Sequence, residues 1–188
     1  MTLYIWRHPK PLAASGMCLG QTDMGVHPRK TKRLANQIQR FVQWHHLPKV
    51  IWVSPLQRSL NVGKLLAKRG FECHIAPDLM ELDFGTWDGK SWVDIPKAAI
   101  DDWCADFATA APFNGESVAQ LFMRVEAQIR DWQSKGMRAD AKHNSILAVG
   151  HAGWINGAKM LAAGQGVPQV AADWARPVTY RQLSCLAF

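Results

Sequence analysis

Strands and helices alternate along this chain, which predicts an α/β fold: a three-layer α/β/α sandwich, its sheet mostly parallel, with helices on both faces. Two observations carry that prediction. Short apolar runs, partly β-branched, recur at residues 3–6, 50–53 and 145–150 and read as buried strands. After each of them comes a stretch with apolar residues at helical spacing. At 188 residues the chain is long enough for one sizeable domain, 1–188, rather than two.

The first run, Leu3-Tyr4-Ile5-Trp6, ends abruptly in Arg7-His8. In open α/β sheets ligands bind just outside the carboxyl ends of the strands, so Arg7 and His8 fall where such a fold builds its site. A loop over 9–27 follows, with Pro11, Gly16, Gly20 and Gly25. It is long for a strand-to-helix connection, and long ordered loops are often functional. Leu34, Ile38, Phe41 and Val42 predict a helix over 29–44, with Pro28 suited to its first turn. The second strand runs into Ser54-Pro55-Leu56-Gln57-Arg58. Ser54 or Pro55 starts the next helix, Leu60, Leu65 and Leu66 continue it, and Gly70 stops it. Arg58 then lies in the first turn of a helix whose positive end faces the sheet edge.

A third strand is predicted over 71–76, and a structured loop over 77–89, rich in glycine and aromatic residues. Residues 91–110 read as helical, interrupted near Pro96. Gly115-Glu116-Ser117 precedes a helix whose stripe of Val118, Leu121, Phe122, Val125, Ile129 and Trp132 is core. The strand at 145–150 ends in His151; Ala152-Gly153 gives a tight turn into a helix over 154–163, stopped by Gly164. Residues 179–188 form a last strand. The sequence has no internal repeat, low-complexity segment or linker.

Composition narrows the function. Hydrophobic residues make up 48% and charged residues 20%, as in ordinary globular chains. No run approaches the ~18 apolar residues of a membrane span. Met1-Thr2 leads directly into the first strand without a basic leader, so the cytoplasm is the expected location. Cys18, Cys73, Cys104 and Cys185 are scattered and read as reduced thiols. His45-His46 and Cys73-His74 are adjacent pairs, poorly placed to share a metal, and no metal or cofactor is expected. The net charge of +7 favours anionic partners. The densest basic run, Arg29-Lys30-Thr31-Lys32-Arg33, has no aromatic interleaved and reads as a solvated helix face. The charge balance alone leaves nucleic acid, a membrane surface and phosphorylated small molecules open; the phosphate-suited groups at the sheet edge make a small phosphorylated metabolite the expected partner, rather than nucleic acid or a membrane.

Three strand ends thus deliver Arg7-His8, Arg58 and His151 to one edge of the sheet. Arginine matches phosphate oxygens bidentately, and histidine can attack phosphorus or donate to its oxygens. Together with a helix N-terminus, these groups suit a phosphate.

Four motifs in order now carry a resemblance. They are Arg7-His8, Ser54-Pro55-Leu56-Gln57-Arg58, Glu81-Leu82-Asp83-Phe84-Gly85-Thr86-Trp87-Asp88-Gly89 and Val149-Gly150-His151-Ala152-Gly153. Together they resemble the histidine phosphatase superfamily, to which phosphoglycerate mutases belong. Within it, Gly16-Met17-Cys18-Leu19-Gly20-Gln21-Thr22-Asp23, Trp87-Asp88-Gly89-Lys90-Ser91-Trp92 and Gly115-Glu116-Ser117 are similar to α-ribazole phosphatases of cobalamin nucleotide-loop assembly. The resemblance implies a phosphoglycerate mutase-like fold and a metal-independent phosphomonoesterase. It implies His8 as the nucleophile that becomes phosphohistidine, and Arg7, Arg58 and His151 as the pocket for the phosphoryl oxygens. It implies Glu81 as the acid for the leaving alkoxide and then the base for water. Such roles suit the chemistry: an alkoxide leaves poorly unless protonated, and a phosphoryl group in flight carries charge on its equatorial oxygens.

The expected substrate is α-ribazole 5′-phosphate or a related nucleotide monophosphate, with Gln21 touching it; Trp87 and Trp92 are candidates to stack on an aromatic leaving group, although core packing accounts for most of the nine tryptophans. The alternatives are a phosphatase of another small ester, a mutase-like enzyme, or a non-catalytic basic binding module on a phosphatase fold. The chain departs from the family pattern at Pro9, where a residue with a backbone N–H is usual, at the turn Gly25-Val26-His27-Pro28, and at Asn156, where Arg is frequent. Glu116 is the rival carboxylate, read as bracing the site from behind or as favouring the N-terminus of its helix.

Overall fold

The computed structural model describes residues 1–136 and 144–188. Five strands form one sheet: β1 (Thr2–Arg7), β2 (Val50–Val53), β3 (Glu72–Ile75), β4 (Ser145–Gly150) and β5 (Leu183–Ala187). The spatial order is β3-β2-β4-β1-β5. Pairings among the first four are parallel, and β5 runs antiparallel beside β1. The helices are α1 (Pro28–Trp44), α2 (Gln57–Ala67), α3 (Lys97–Ala105), α4 (Val118–Gly136) and α5 (Ala152–Ala162).

Side chains on a strand alternate between faces, and here the two faces feed two cores. Leu3 and Ile5 of β1 and Ala148 of β4 pack with Leu121, Val125 and Ile129 of α4 and Ile155 of α5. Trp6 of β1, Ile51 and Val53 of β2, and Leu147 and Val149 of β4 pack with Leu34 and Ile38 of α1 and Val62 and Leu66 of α2. So α1 and α2 cover one face and α4 and α5 the other, which gives the three predicted layers. Burial is complete at Leu34 and Ile38, and each such side chain contributes roughly 1.5–3 kcal/mol. The basic run at the start of α1 keeps Arg29, Lys32 and Arg33 on the exposed side while Thr31, Leu34 and Ala35 go in.

The elements differ from the sequence reading at four points. Neither Ser54 nor Pro55 starts α2; Leu56 precedes it, and the N–H of Gln57 is capped from a distant loop by Asp23 Oδ1 at 2.7 Å. The predicted helix over 91–110 is broken into a short 3-10 turn, Trp92–Asp94, and α3, because Pro96 cannot sit inside a helix. Ala152 and Gly153 are not a turn but the first residues of α5, which starts directly after His151. The last strand begins only at Leu183, since Arg181 takes a left-handed backbone (φ 67°) in a turn.

Register places the site. β1 and β4 are neighbours, with Arg7 opposite Gly150. The next residue on each strand, His8 and His151, therefore leaves the sheet beside the other.

Candidate active site

His8 and His151 are both buried, their ring centroids 4.8 Å apart. The Nδ1–H of His8 donates to the carbonyl of Pro9 at 2.8 Å. That acceptor fixes the tautomer and leaves Nε2 with its lone pair. So Pro9, which has no N–H, contributes through its carbonyl, and the backbone N–H of His8 itself goes to Gly150 O at 3.0 Å. His151 has the opposite arrangement. Its Nδ1 accepts from Arg58 Nε at 3.3 Å, so in the neutral ring the proton is on Nε2, which is buried without a partner. Burial, first, and then the Arg58 guanidinium hold both imidazoles well below the usual histidine range.

Arg58 is 2% exposed, a buried cation at the start of α2. Its guanidinium donates to Thr22 O at 2.7 Å and to Gly20 O. Those carbonyls are held in turn by Asp88, whose carboxylate accepts the backbone N–H groups of Gly20 and Thr22, both at 2.9 Å, and of Gln21. Burial lowers the Arg58 pKa from its ordinary value, while Glu81, Asp88 and Asp23 act in the opposite direction. A cation so placed is held by carbonyl dipoles and nearby carboxylates, with donor capacity still free for an anion.

Arg7 leaves β1 and donates to Val178 O at 2.6 Å. Its guanidinium lies 3.9 Å from the centroid of the Tyr180 ring, a cation–π contact, and its Nε is buried without a partner. The Tyr180 ring is also 5.6 Å from that of His8. Buried donors without acceptors are costly, and two of them, Arg7 Nε and His151 Nε2, belong to residues expected to hold an anion.

Glu81 is buried and faces the N-terminus of α5. Its Oε1 accepts from Gly153 N at 2.9 Å, Trp154 N at 3.3 Å and Leu82 N at 3.1 Å. A carboxylate here complements the positive end of the helix. It also explains why α5 begins so early: the N–H groups of the first turn are already satisfied. Behind Glu81, Arg124 of α4 donates to Glu116 at 3.0 and 2.8 Å and to the carbonyls of Asp78, Met80 and Glu81. Glu116 also accepts the N–H of Asp83 at 3.3 Å. The bracing role anticipated for Glu116 is thus carried out by an ion pair that pins the strip bearing Glu81.

The sequence model of the histidine phosphatase superfamily (branch 1) matches residues 3–186. The chain belongs to that superfamily. Among its relatives, an adenosylcobalamin/α-ribazole phosphatase of Salmonella typhimurium is 30% identical over 166 residues, 83% of this chain and 76% of the relative. The α-ribazole phosphatase of Shigella flexneri superposes with a TM-score of 0.74 at 26% identity, over 98% of this chain and 89% of the other. A mycobacterial glucosyl-3-phosphoglycerate phosphatase superposes with a TM-score of 0.79 at 21% identity, over 99% and 89% of the two chains, a likeness of fold alone. The phosphoglycerate mutase-like fold is therefore established, and this histidine phosphatase is a phosphoric monoester hydrolase.

Of the expected site residues, His8, Arg7, Arg58, His151 and Glu81 come together. The side-chain amide of Gln21 donates to Glu81 O at 3.3 Å, which sets it at the edge of the site as a tie between loops. The tryptophans expected to stack on substrate are engaged elsewhere. Trp87 is buried against Cys18 and Ile95, with the Trp103 ring 5.9 Å away, and Trp92 meets Phe84 edge-on at 5.8 Å. Asn156 is buried and ties α5 to Ala175 O at 2.8 Å. Sequence reading missed Asp88, Arg124 and Tyr180 as parts of the site. Among the described residues no group of three or more His, Cys, Asp or Glu is set to hold a metal, and no helix is long and apolar enough to cross a membrane.

Proposed function

We propose that this enzyme hydrolyses phosphate monoesters through a phosphohistidine on His8, without a metal, in the cytoplasm. The observation that carries the reading is the pair of adjacent imidazoles in opposite tautomers. His8 Nε2 holds a lone pair for phosphorus, and His151 Nε2–H is a donor for a phosphoryl oxygen. In the first step the His8 N–P bond forms as the ester P–O bond breaks. Arg7, Arg58 and His151 stabilise the charge on the three transferring oxygens. Glu81 gives its proton to the departing alkoxide, which leaves as the alcohol. In the second step Glu81 takes a proton from water, the water oxygen bonds phosphorus, and the N–P bond breaks to give phosphate and free His8.

The substrate is α-ribazole 5′-phosphate or a related nucleotide monophosphate, which would place the enzyme in cobalamin assembly. Support comes from the names of its Salmonella and Shigella relatives. The test is phosphate release, with EDTA present, from α-ribazole 5′-phosphate, 3-phosphoglycerate and a simple aryl phosphate, by wild type and His8→Ala. Preference for α-ribazole 5′-phosphate, abolished in His8→Ala, is the expected result. Equal, weak turnover of all three esters would discard the substrate and keep the chemistry; activity surviving in His8→Ala would discard the phosphohistidine.

A further inference from the structure

A cavity of about 270 Å³ opens beside Glu81. Its walls come from three separate parts of the chain: Phe84 just after Glu81, Trp103 and Phe107 in and after α3, and Trp174 from the segment before β5. Leu121 of α4 and Gly153 of α5 complete it on the sheet side. The aromatic rings form a continuous series. Phe84 and Trp103 are 5.9 Å apart, Trp103 and Phe107 4.8 Å, and Phe107 and Trp174 5.7 Å, all edge-to-face. Among the described residues Glu81 is the one charged group on the wall, and no lysine, arginine or histidine lines it. The indole N–H of Trp103 is buried with no partner.

We infer that this cavity receives the part of the substrate that departs with the alcohol, and that it selects an uncharged, flat, aromatic group such as a bicyclic nucleobase. The inference rests on the phosphatase reading above, in which Glu81 faces the leaving oxygen. An apolar cavity of about 150 Å³ holds one benzene ring, so the larger volume here suits a two-ring system. Aromatic walls favour stacked or edge contacts with it. A carboxylate on the departing group, as in a phosphoglycerate, would enter beside Glu81 with no cation to meet it. Selectivity for an aromatic base therefore rests on Trp103, Phe107 and Trp174 rather than on Trp87 or Trp92.

The test compares two esters that share one leaving alkoxide. Benzimidazole riboside 5′-phosphate and ribose 5-phosphate differ only in the base, so intrinsic reactivity cancels. In wild type the first is expected to show a KM at least tenfold lower at similar kcat. Trp174→Ala is expected to shrink that ratio at least fivefold, and Trp174→Phe, which keeps a ring, to restore most of it. Benzimidazole riboside itself, without phosphate, is expected to quench tryptophan fluorescence and to compete with ribose 5-phosphate. Turnover of ribose 5-phosphate with no gain from the base would overturn the cavity assignment and leave the phosphatase reading standing. Riboside binding without turnover of either ester would do the reverse. A ratio unmoved in a folded Trp174→Ala would remove that wall from the assignment and overturn it.

Discussion

His8 and His151 stand ring beside ring in opposite tautomers, one set by the carbonyl of Pro9 and the other by Arg58. Arg58 thus has two tasks, binding the anion and keeping the donor proton of His151 on Nε2. Arg58→Ala removes both. Its expected cost is about 3 kcal/mol of transition-state stabilisation, roughly a hundredfold in kcat/KM. Arg58→Lys keeps a charge but loses the planar fork that reaches His151, Thr22 and Gly20 together, and is expected to recover little. Steady-state kinetics on both variants would check this, and a loss of only a few-fold would remove Arg58 from the site.

Acid should act on stability as well as on rate. The folded-state pKa values of His8 and His151 are lowered, so near and below pH 6.5 the unfolded chain binds more protons than the folded one. Stability is then fully present above about pH 6.5 and falls as pH drops toward the lowered folded values, by about 1.4 kcal/mol per pH unit for each histidine. Urea unfolding between pH 7.5 and 5 should show the slope. The double variant His8→Gln, His151→Gln should flatten it. The acid limb of kcat/KM should likewise lie well below pH 6.5, because His8 stays neutral there.

Asp88 touches no substrate in this scheme, yet it holds the loop whose carbonyls hold Arg58. Losing three hydrogen bonds to a charged acceptor should destabilise the fold by about 2–3 kcal/mol in Asp88→Ala. The mark of a positioning role is kinetic: kcat should fall about tenfold, and Asp88→Asn, with one acceptor oxygen left, should recover part of it. A variant that loses stability with kcat unchanged would make Asp88 a structural residue only.

The Glu116–Arg124 pair is mostly buried, with side chains 15% and 16% exposed. Arg124→Ala takes the guanidinium away from a carboxylate and three carbonyls, leaving Glu116 only the N–H of Asp83 and the Glu81 carbonyl only Gln21. The expected cost is about 3 kcal/mol by denaturant unfolding. Because those carbonyls include that of Glu81, kcat should drop while KM for a small ester changes little.

How much of this was legible in the sequence follows from the kind of contact involved. A strand points its next residue at the sheet edge, so Arg7-His8 and His151 could be placed from the apolar runs alone, and Arg58 from the helix after β2. The order of strands was not legible, since nothing local states that β4 slots between β1 and β2. Asp88 acts on backbone N–H groups 66 to 68 positions away, Arg124 on carbonyls 43 to 46 positions away, and Tyr180 on Arg7 and His8 at the other end of the chain, and no spacing rule reaches that far. Trp87 and Trp92 stayed open for the opposite reason: an aromatic side chain near a motif looks the same whether it faces a ligand or the core. The start of α5 was misplaced because Ala152-Gly153 reads as a turn until a distant carboxylate is seen to bind the N–H groups there.

Among the described residues, the donors to the Glu81 carboxylate are the main-chain N–H groups of Leu82, Gly153 and Trp154. An alanine scan deletes side chains, so it would pass over Leu82 and Trp154 without registering that they hold this group. The exposure runs the other way at Gly153, where an added Cβ would come within 2.5 Å of Oε1. Random mutation can therefore damage the acid's seat by adding atoms far more easily than by taking them away.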